Sequence, residues 1–233
     1  VDPTVVDRLP PTAMTAIAIG LDGKQLWAAL QKPLLGALAK ERDCDEQQAL
    51  AYLDQNLTEQ GFTVSFTELM EGLTGTFALA IAPGAPFPTL SIEIPRGTAL
   101  DSLVTTILGF ANAKVPNEGE STLIPIPGSP LPVTLARDGG GWMLTSDMMY
   151  ANDWLAKKGG FLDLPAAKLA VERGGAGAVV LGCSDTAVML RSIIPYLAMA
   201  LGQAPIEADQ RQAIMRLLQT ATTKGGSGYM VVK

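Results

Sequence analysis

At 233 residues, with 48% apolar and only 17% charged residues, the chain has a globular composition, not a disordered one, and is long enough for one large domain or two small ones. Its 23 acidic and 17 basic residues give a net charge of −6, which argues against a nucleic-acid partner because phosphate recognition wants a basic face. The absence of histidine excludes Ser-His-Asp and Cys-His sets and any His-containing zinc site, and two cysteines cannot build an all-cysteine zinc site.

In chain order, the polar, proline-bearing 1–12 segment leads into an apolar run, Thr15–Leu21, closed by Asp22-Gly23, which predicts a buried strand. Leu26, Trp27, Leu30, Leu34, Leu35 and Leu38 then recur at helical spacing, with Pro33 inside the pattern to kink or restart the helix. Asp43 and Glu46 have capping-box spacing ahead of a second helix with Ala49, Leu50, Leu53 and Leu57 on its buried face, ended by Gly61. After that the period drops to two. Val64–Thr67, the stretch around Phe77, Leu79 and Ile81, and the stretch around Leu90, Ile92 and Ile94 read as meandering antiparallel strands with one wet face. Glu71-Gly72 and the proline-rich 83–88 separate them. Thr98 caps a helix with Leu100, Leu103, Val104, Ile107 and Leu108 as its apolar stripe.

Leu123–Ile126, Val133–Arg137 and Trp142–Thr145 form a second run of strands, the last two joined by the hairpin turn Asp138-Gly139-Gly140-Gly141. Asp147 begins a helix that ends at Gly159-Gly160, and Asp163 with Pro165 opens another that ends at Gly174-Gly175. The last quarter then restates the beginning. At an offset of 162 residues, Ala16, Gly20, Pro33 and Leu35 fall on Ala178, Gly182, Pro195 and Leu197. Both stretches read as strand, proline-bearing helix, second helix (Glu207 to Lys224 in the later copy) and strand. The expected fold is α+β, a mainly antiparallel sheet with paired helices. It carries a candidate repeat over about Thr15–Leu69 and Gly177–Lys233, as a single domain or as pseudo-repeat subdomains of about 1–160 and 161–233, the second incomplete.

The inventory nominates no catalytic, cofactor-binding or metal-ligating residue. No serine is followed three residues later by lysine, and Gly226-Ser227-Gly228 lacks the five-residue frame of a nucleophile elbow. Gly174-Gly175-Ala176-Gly177 precedes a strand, whereas phosphate-binding glycines follow one and open a helix. Asp43, Asp45 and Glu46 cluster at a helix start, where acids suit the dipole, and Glu118 and Glu120 read as solvated. Lys157-Lys158 suits a helix end. Trp27, Trp142 and Trp154 stand at core positions, with interface anchoring as the other reading. Cys44 is expected between two helices and Cys183 at the exposed end of a strand, either as unrelated thiols or as a disulfide. No apolar run reaches the ~18 residues of a membrane span; the longest, Ile193 to Leu201, carries Pro195.

Leu9-Pro10-Pro11-Thr12-Ala13, the strand after it, Leu21-Asp22-Gly23, and the later Leu144-Thr145-Ser146-Asp147 resemble the openings and a later motif of uncharacterised exported bacterial cell-envelope proteins. The resemblance implies an exported α+β protein with no assigned activity and supplies no functional residues. A first residue of Val1, not Met, fits a mature-type, extracytoplasmic N-terminus, whether periplasmic, lipoprotein or secreted. The expectation is therefore a non-catalytic extracytoplasmic interaction or structural domain with a protein or cell-envelope component as partner. The alternatives are a small-molecule or lipid-binding protein with a cavity between helices and sheet, and a hydrolase using carboxylates alone.

Overall fold

Alternation of small and large apolar residues organises this fold. The computed structural model describes residues 1–84, 88–125, 132–174, 177–203, 207–224 and 226–233. Its strands are β1 (Thr15–Leu21), β2 (Gly75–Ala82), β3 (Thr89–Pro95), β4 (Glu120–Ile124), β5 (Val133–Arg137), β6 (Gly141–Thr145), β7 (Val180–Asp185) and β8 (Ser227–Val232). They form one sheet in the order β4-β5-β6-β3-β2-β1-β7-β8, with every neighbouring pair antiparallel. The α+β class with a mainly antiparallel sheet and paired helices is what the structure shows.

The helices are α1 (Pro3–Asp7), α2 (Gly23–Arg42), α3 (Glu46–Glu59), α4 (Phe66–Glu71), α5 (Thr98–Phe110), α6 (Met148–Leu155), α7 (Pro165–Gly174), α8 (Thr186–Gln203) and α9 (Ala208–Lys224). One face of the sheet is lined by Ala16 and Ala18, Ala78 and Ala80, and Leu181, which pack with Val6, Leu9, Phe161, Ala167 and Ala170. Alanines let the helices approach closely, so α1, α7 and the short turn at Phe161–Asp163 lie tight against this side. Farther along the same face, Ala136 and Met143 pack against Tyr150, Ala151 and Trp154 of α6.

The stretches flagged as a repeat each join neighbouring antiparallel strands, as β1–α2–α3–α4–β2 and as β7–α8–α9–β8. Asp22 and Asp185 both cap the first helix of their stretch, accepting from Gln25 N–H and Val188 N–H. Packing is where the two differ. Trp27, Leu35, Ala39 and Ala49 are buried in the first, joined by Phe66 and Met70 from α4. No residue of α8 is fully buried. The stretches share a strand, a pair of helices and a closing strand, but the first has α4 in addition and the two do not pack alike, so the structure does not establish a repeat. Pro33 and Pro195 lie inside α2 and α8 without restarting either helix.

Several local expectations are corrected. Val64–Thr67 is not a strand: Ser65 and Glu68 form a capping box that starts α4 at Phe66. Its period-two apolarity spans too few residues to outweigh two satisfied N-terminal donors. The first unit therefore closes at β2, beyond Leu69. The box before α3 is Asp45 with Gln48, and Asp43 ends α2 in the left-handed region at φ 53°. Gly97, with no side chain to bond, takes the capping position before α5 that the sequence offers to Thr98. Residues 85–87 of the proline-rich turn, Ile126 of the expected strand and residues 175–176 of the glycine run lie outside the described residues.

Candidate functional site

Two features stand apart from ordinary core packing: an open apolar face and a sealed cluster of charges. Both follow from how the strands alternate. In β3 the sequence pattern puts Leu90, Ile92 and Ile94 inside and Ser91 and Glu93 in water. The structure does the reverse at its clearest positions, with Glu93 only 2% exposed, Ser91 fully buried and Leu90 43% exposed. Ser91 pairs with Thr145 across the β3–β6 ladder, their hydroxyls 2.9 Å apart. In β1 the alanines Ala16 and Ala18 are buried, while Ile17 and Ile19 are 37% and 38% exposed. In β2 the alanines are again inside, and Phe77, Leu79 and Ile81 are half-buried on the other side.

The register places the large aliphatics of β1, β2 and β3 on one common face, since Ile17 pairs with Leu79, Leu79 with Ile92, and Ile19 with Phe77. Helix α5 covers the far end of that face, where Val104 and Leu108 pack with Leu135 and Trp142. The α2–α3–α4 cluster contains no sheet residue, and Ile17 and Ile19 in the middle of the face stay exposed. The central strands are left with a half-open floor of Ile and Leu.

The charged cluster lies on the opposite, covered face. Arg8, the residue that ends α1, reaches Asp138 Oδ2 at 2.8 Å and Glu93 Oε1 at 3.5 Å. Its guanidinium sits 4.0 Å from the centre of the Trp154 ring. Asp138 Oδ1 accepts from Gly140 N–H and Gly141 N–H, which builds the hairpin turn, and Tyr150 donates its hydroxyl to Arg8 O at 2.7 Å. Arg96 extends the network by donating to Asp138 O and to both carboxylate oxygens of Asp101, and Asp101 also accepts from Trp142 Nε1.

Burial pushes the Glu93 carboxyl up to about 7; the nearby Arg8 cation opposes this, and Asp138 and Asp2 add to it. The Trp154 indole N–H also favours the charged carboxyl, yet it falls short of hydrogen-bond geometry, and neither Trp154 Nε1 nor Glu93 Oε2 has a bonding partner among the described residues. A carboxyl titrating near 7 has the profile of a general acid. Glu93, however, is shut in on the covered face, and a general acid must touch its substrate. What the arrangement does chemically is tie the N-terminal segment to the β5–β6 turn.

Most of the residues singled out in the sequence have structural places. Trp27, Trp142 and Trp154 are core residues. Cys44 packs with the α2–α3 core and Cys183 with the alanine face, both half-buried and both free thiols. Cys183 lies within β7, not at an exposed end, and burial pushes its thiol up to about 11. Asp45 caps α3, Glu46 sits in its first turn, and Glu120 accepts from the exposed Asn117 side chain. Lys158 pairs with Asp153 at 2.7 Å. Among the described residues, no three Asp, Glu or Cys side chains converge to hold a metal ion. The hollow between the alanine face and α7 measures about 10 Å³, space for no more than a water molecule. No helix among the described residues is long and apolar enough to cross a membrane.

The residues that sequence reasoning misses are Arg8, Glu93 and Asp138. By pattern alone Asp138 is a turn residue and Glu93 a wet-face residue. One signal is present: in β3 the polar residues alternate against a neighbouring strand whose matching positions are all alanine, and alanine is the residue that lets helices come close. No protein-family model, curated protein or solved structure matches the chain, so no family is assigned to it.

Proposed function

We propose that the chain is a non-catalytic, extracytoplasmic interaction or structural domain. Its working surface is the open face of the central sheet, and its partner is a protein or another component of the cell envelope. The observation that carries this reading is the inverted alternation of β1–β3, which buries alanine, serine and a carboxyl and leaves Ile17, Ile19 and Leu90 exposed. Scattered exposed aliphatics need no explanation, but Ile17, Ile19 and Leu90 share one face with the half-buried Phe77, Leu79 and Ile81 of the strand between them, and a continuous apolar patch of that kind marks a contact surface. The buried carboxylates are already committed to holding Arg8 and the hairpin turn, which favours a structural role over a hydrolytic one.

A photo-crosslinking amino acid at Ile19, introduced in the producing cells, tests the proposal. A discrete protein or envelope adduct that disappears when Ile17 and Leu90 are changed to aspartate is the expected result. Adducts confined to lipid, together with lipid in an organic-solvent extract of the purified protein, would replace this reading with that of a lipid carrier.

A further inference from the structure

The two outer edges of the sheet are unlike. Strand β4, Glu-Ser-Thr-Leu-Ile, ends one side, and the charge of Glu120 at its start discourages further pairing there, although Leu123 is exposed. Strand β8 ends the other with Ser-Gly-Tyr-Met-Val-Val and carries no charge, proline or bulge over its six residues. Thr186 N–H bonds to Gly226 O, so the alternation along the ladder turns the backbone groups of Gly228, Met230 and Val232 toward β7. Those of Tyr229 and Val231 point outward, unpaired by any strand among the described residues. Tyr229, Met230 and Val232 are all exposed.

Beside this edge, on the same open face as Ile17, lies a hollow of about 290 Å³ bordered by Thr15, Ile17, Gly182, Ser184, Gly228 and Met230. It exists because Gly182 and Gly228 present no side chain there. The matching edge on the other side of the β1–β7 pair is already occupied. Strand β2, which closes the first helical hairpin as β8 closes the second, is paired along its outer edge by β3. Strand β3 brings Leu90, Ile92 and Ile94 to the open face and small or polar residues to the other.

We infer that the outer edge of β8 is a strand-addition site. Its occupant is an extended segment from a partner polypeptide that runs antiparallel to β8, with large aliphatics at alternate positions over the hollow and small or polar residues on the covered face. Main-chain bonds to Tyr229 and Val231 supply the attachment, and the alternating side chains supply selectivity. Backbone pairing along six residues covers far less than the roughly 800 Å² per partner of a stable interface, so filling the hollow with aliphatic side chains is what makes the contact hold. The inference rests on the open face being an interaction surface, and the edge can fail its own test while Ile19 still crosslinks.

The probe is a fluorescein-labelled synthetic peptide with the sequence of residues 88–96, the segment that fills the matching edge at β2. Fluorescence anisotropy should show saturable binding to the purified protein. Binding should weaken about tenfold or more when Leu90, Ile92 and Ile94 of the peptide are serine, a loss of about 1.4 kcal/mol per factor of ten. Val231→Pro should weaken it equally, because it deletes an outward N–H and leaves the β7 ladder intact, which circular dichroism would verify. Met230→Lys, which puts a charge on the hollow without touching the backbone, serves as the second variant. The inference is overturned by absence of saturable binding, by binding that neither variant weakens, or by a purified protein that is a dimer until Val231→Pro makes it monomeric, since a second copy would then be the occupant.

Discussion

Replacing Glu93 with glutamine isolates the cost of keeping a carboxyl in the sealed cluster. Its ordinary value of 4.5 is raised to about 7 in the fold, chiefly by burial. A carboxyl raised in the folded state favours folding fully below its unfolded value, and that favour is lost as pH rises through 4.5 toward 7. At about 1.4 kcal/mol per pK unit, the complete loss is on the order of 3 kcal/mol, most of it between about pH 5 and pH 8. Glutamine keeps the shape and carries no charge. Urea unfolding of both proteins at half-unit steps from about pH 4.5 to about pH 8.5 gives the difference in stability, in which other titrating groups largely cancel. The difference should move in favour of Glu93→Gln by about 2–3 kcal/mol as pH rises. A difference that stays flat, or moves toward the native protein with rising pH, would refute the burial of a strained carboxyl in this cluster.

Arg8→Met strands Asp138 and Glu93 without their cation and should destabilise the protein by about 3–5 kcal/mol near pH 8, measured by the same unfolding assay, with a smaller loss near pH 5, where Glu93 takes up a proton. Ala80→Leu forces extra carbons against the helices on the closed face and should cost about 1–3 kcal/mol, whereas Ile19→Ser on the open face should cost about 1 kcal/mol or less by thermal or urea unfolding. Both thiols are free, so intact mass spectrometry of the unreduced, denatured protein after alkylation should show two adducts; in the folded protein near pH 8, Cys44 should react before Cys183, whose thiol is pushed up to about 11.

Much of the architecture is legible because it is written in local signals. The Asp138–Gly141 turn, the Asp147 cap, Pro165 at the start of α7 and the strand at Thr15–Leu21 are each specified by a few adjacent residues. The facing of the strands is not. Period two says that alternate residues differ, but which set turns inward is decided by what covers the sheet. In β1 and β2 the covered face is alanine because helices press against it, and in β3 that same face continues as Ser91 and Glu93. Glu93 is tolerated there because Arg8 approaches it from the N-terminal segment, and Arg8 is held by Asp138, 130 positions further along the chain. No window of sequence contains that arrangement. The Val64–Thr67 stretch misleads for the opposite reason, since a short alternation loses to the Ser65–Glu68 cap within the same few residues.

Which face of the central sheet is open decides the interaction role. Ala18→Cys and Ile19→Cys, at adjacent positions of β1 that turn to opposite faces, can each be placed in a protein whose Cys44 and Cys183 have been changed to alanine. Rates of modification by a small thiol reagent under native conditions then read the two faces directly. Rapid labelling at position 19 and protection at position 18 is the predicted result. Protection at 19, or labelling at 18 as fast as at 19, would contradict the open apolar face and the interaction role built on it.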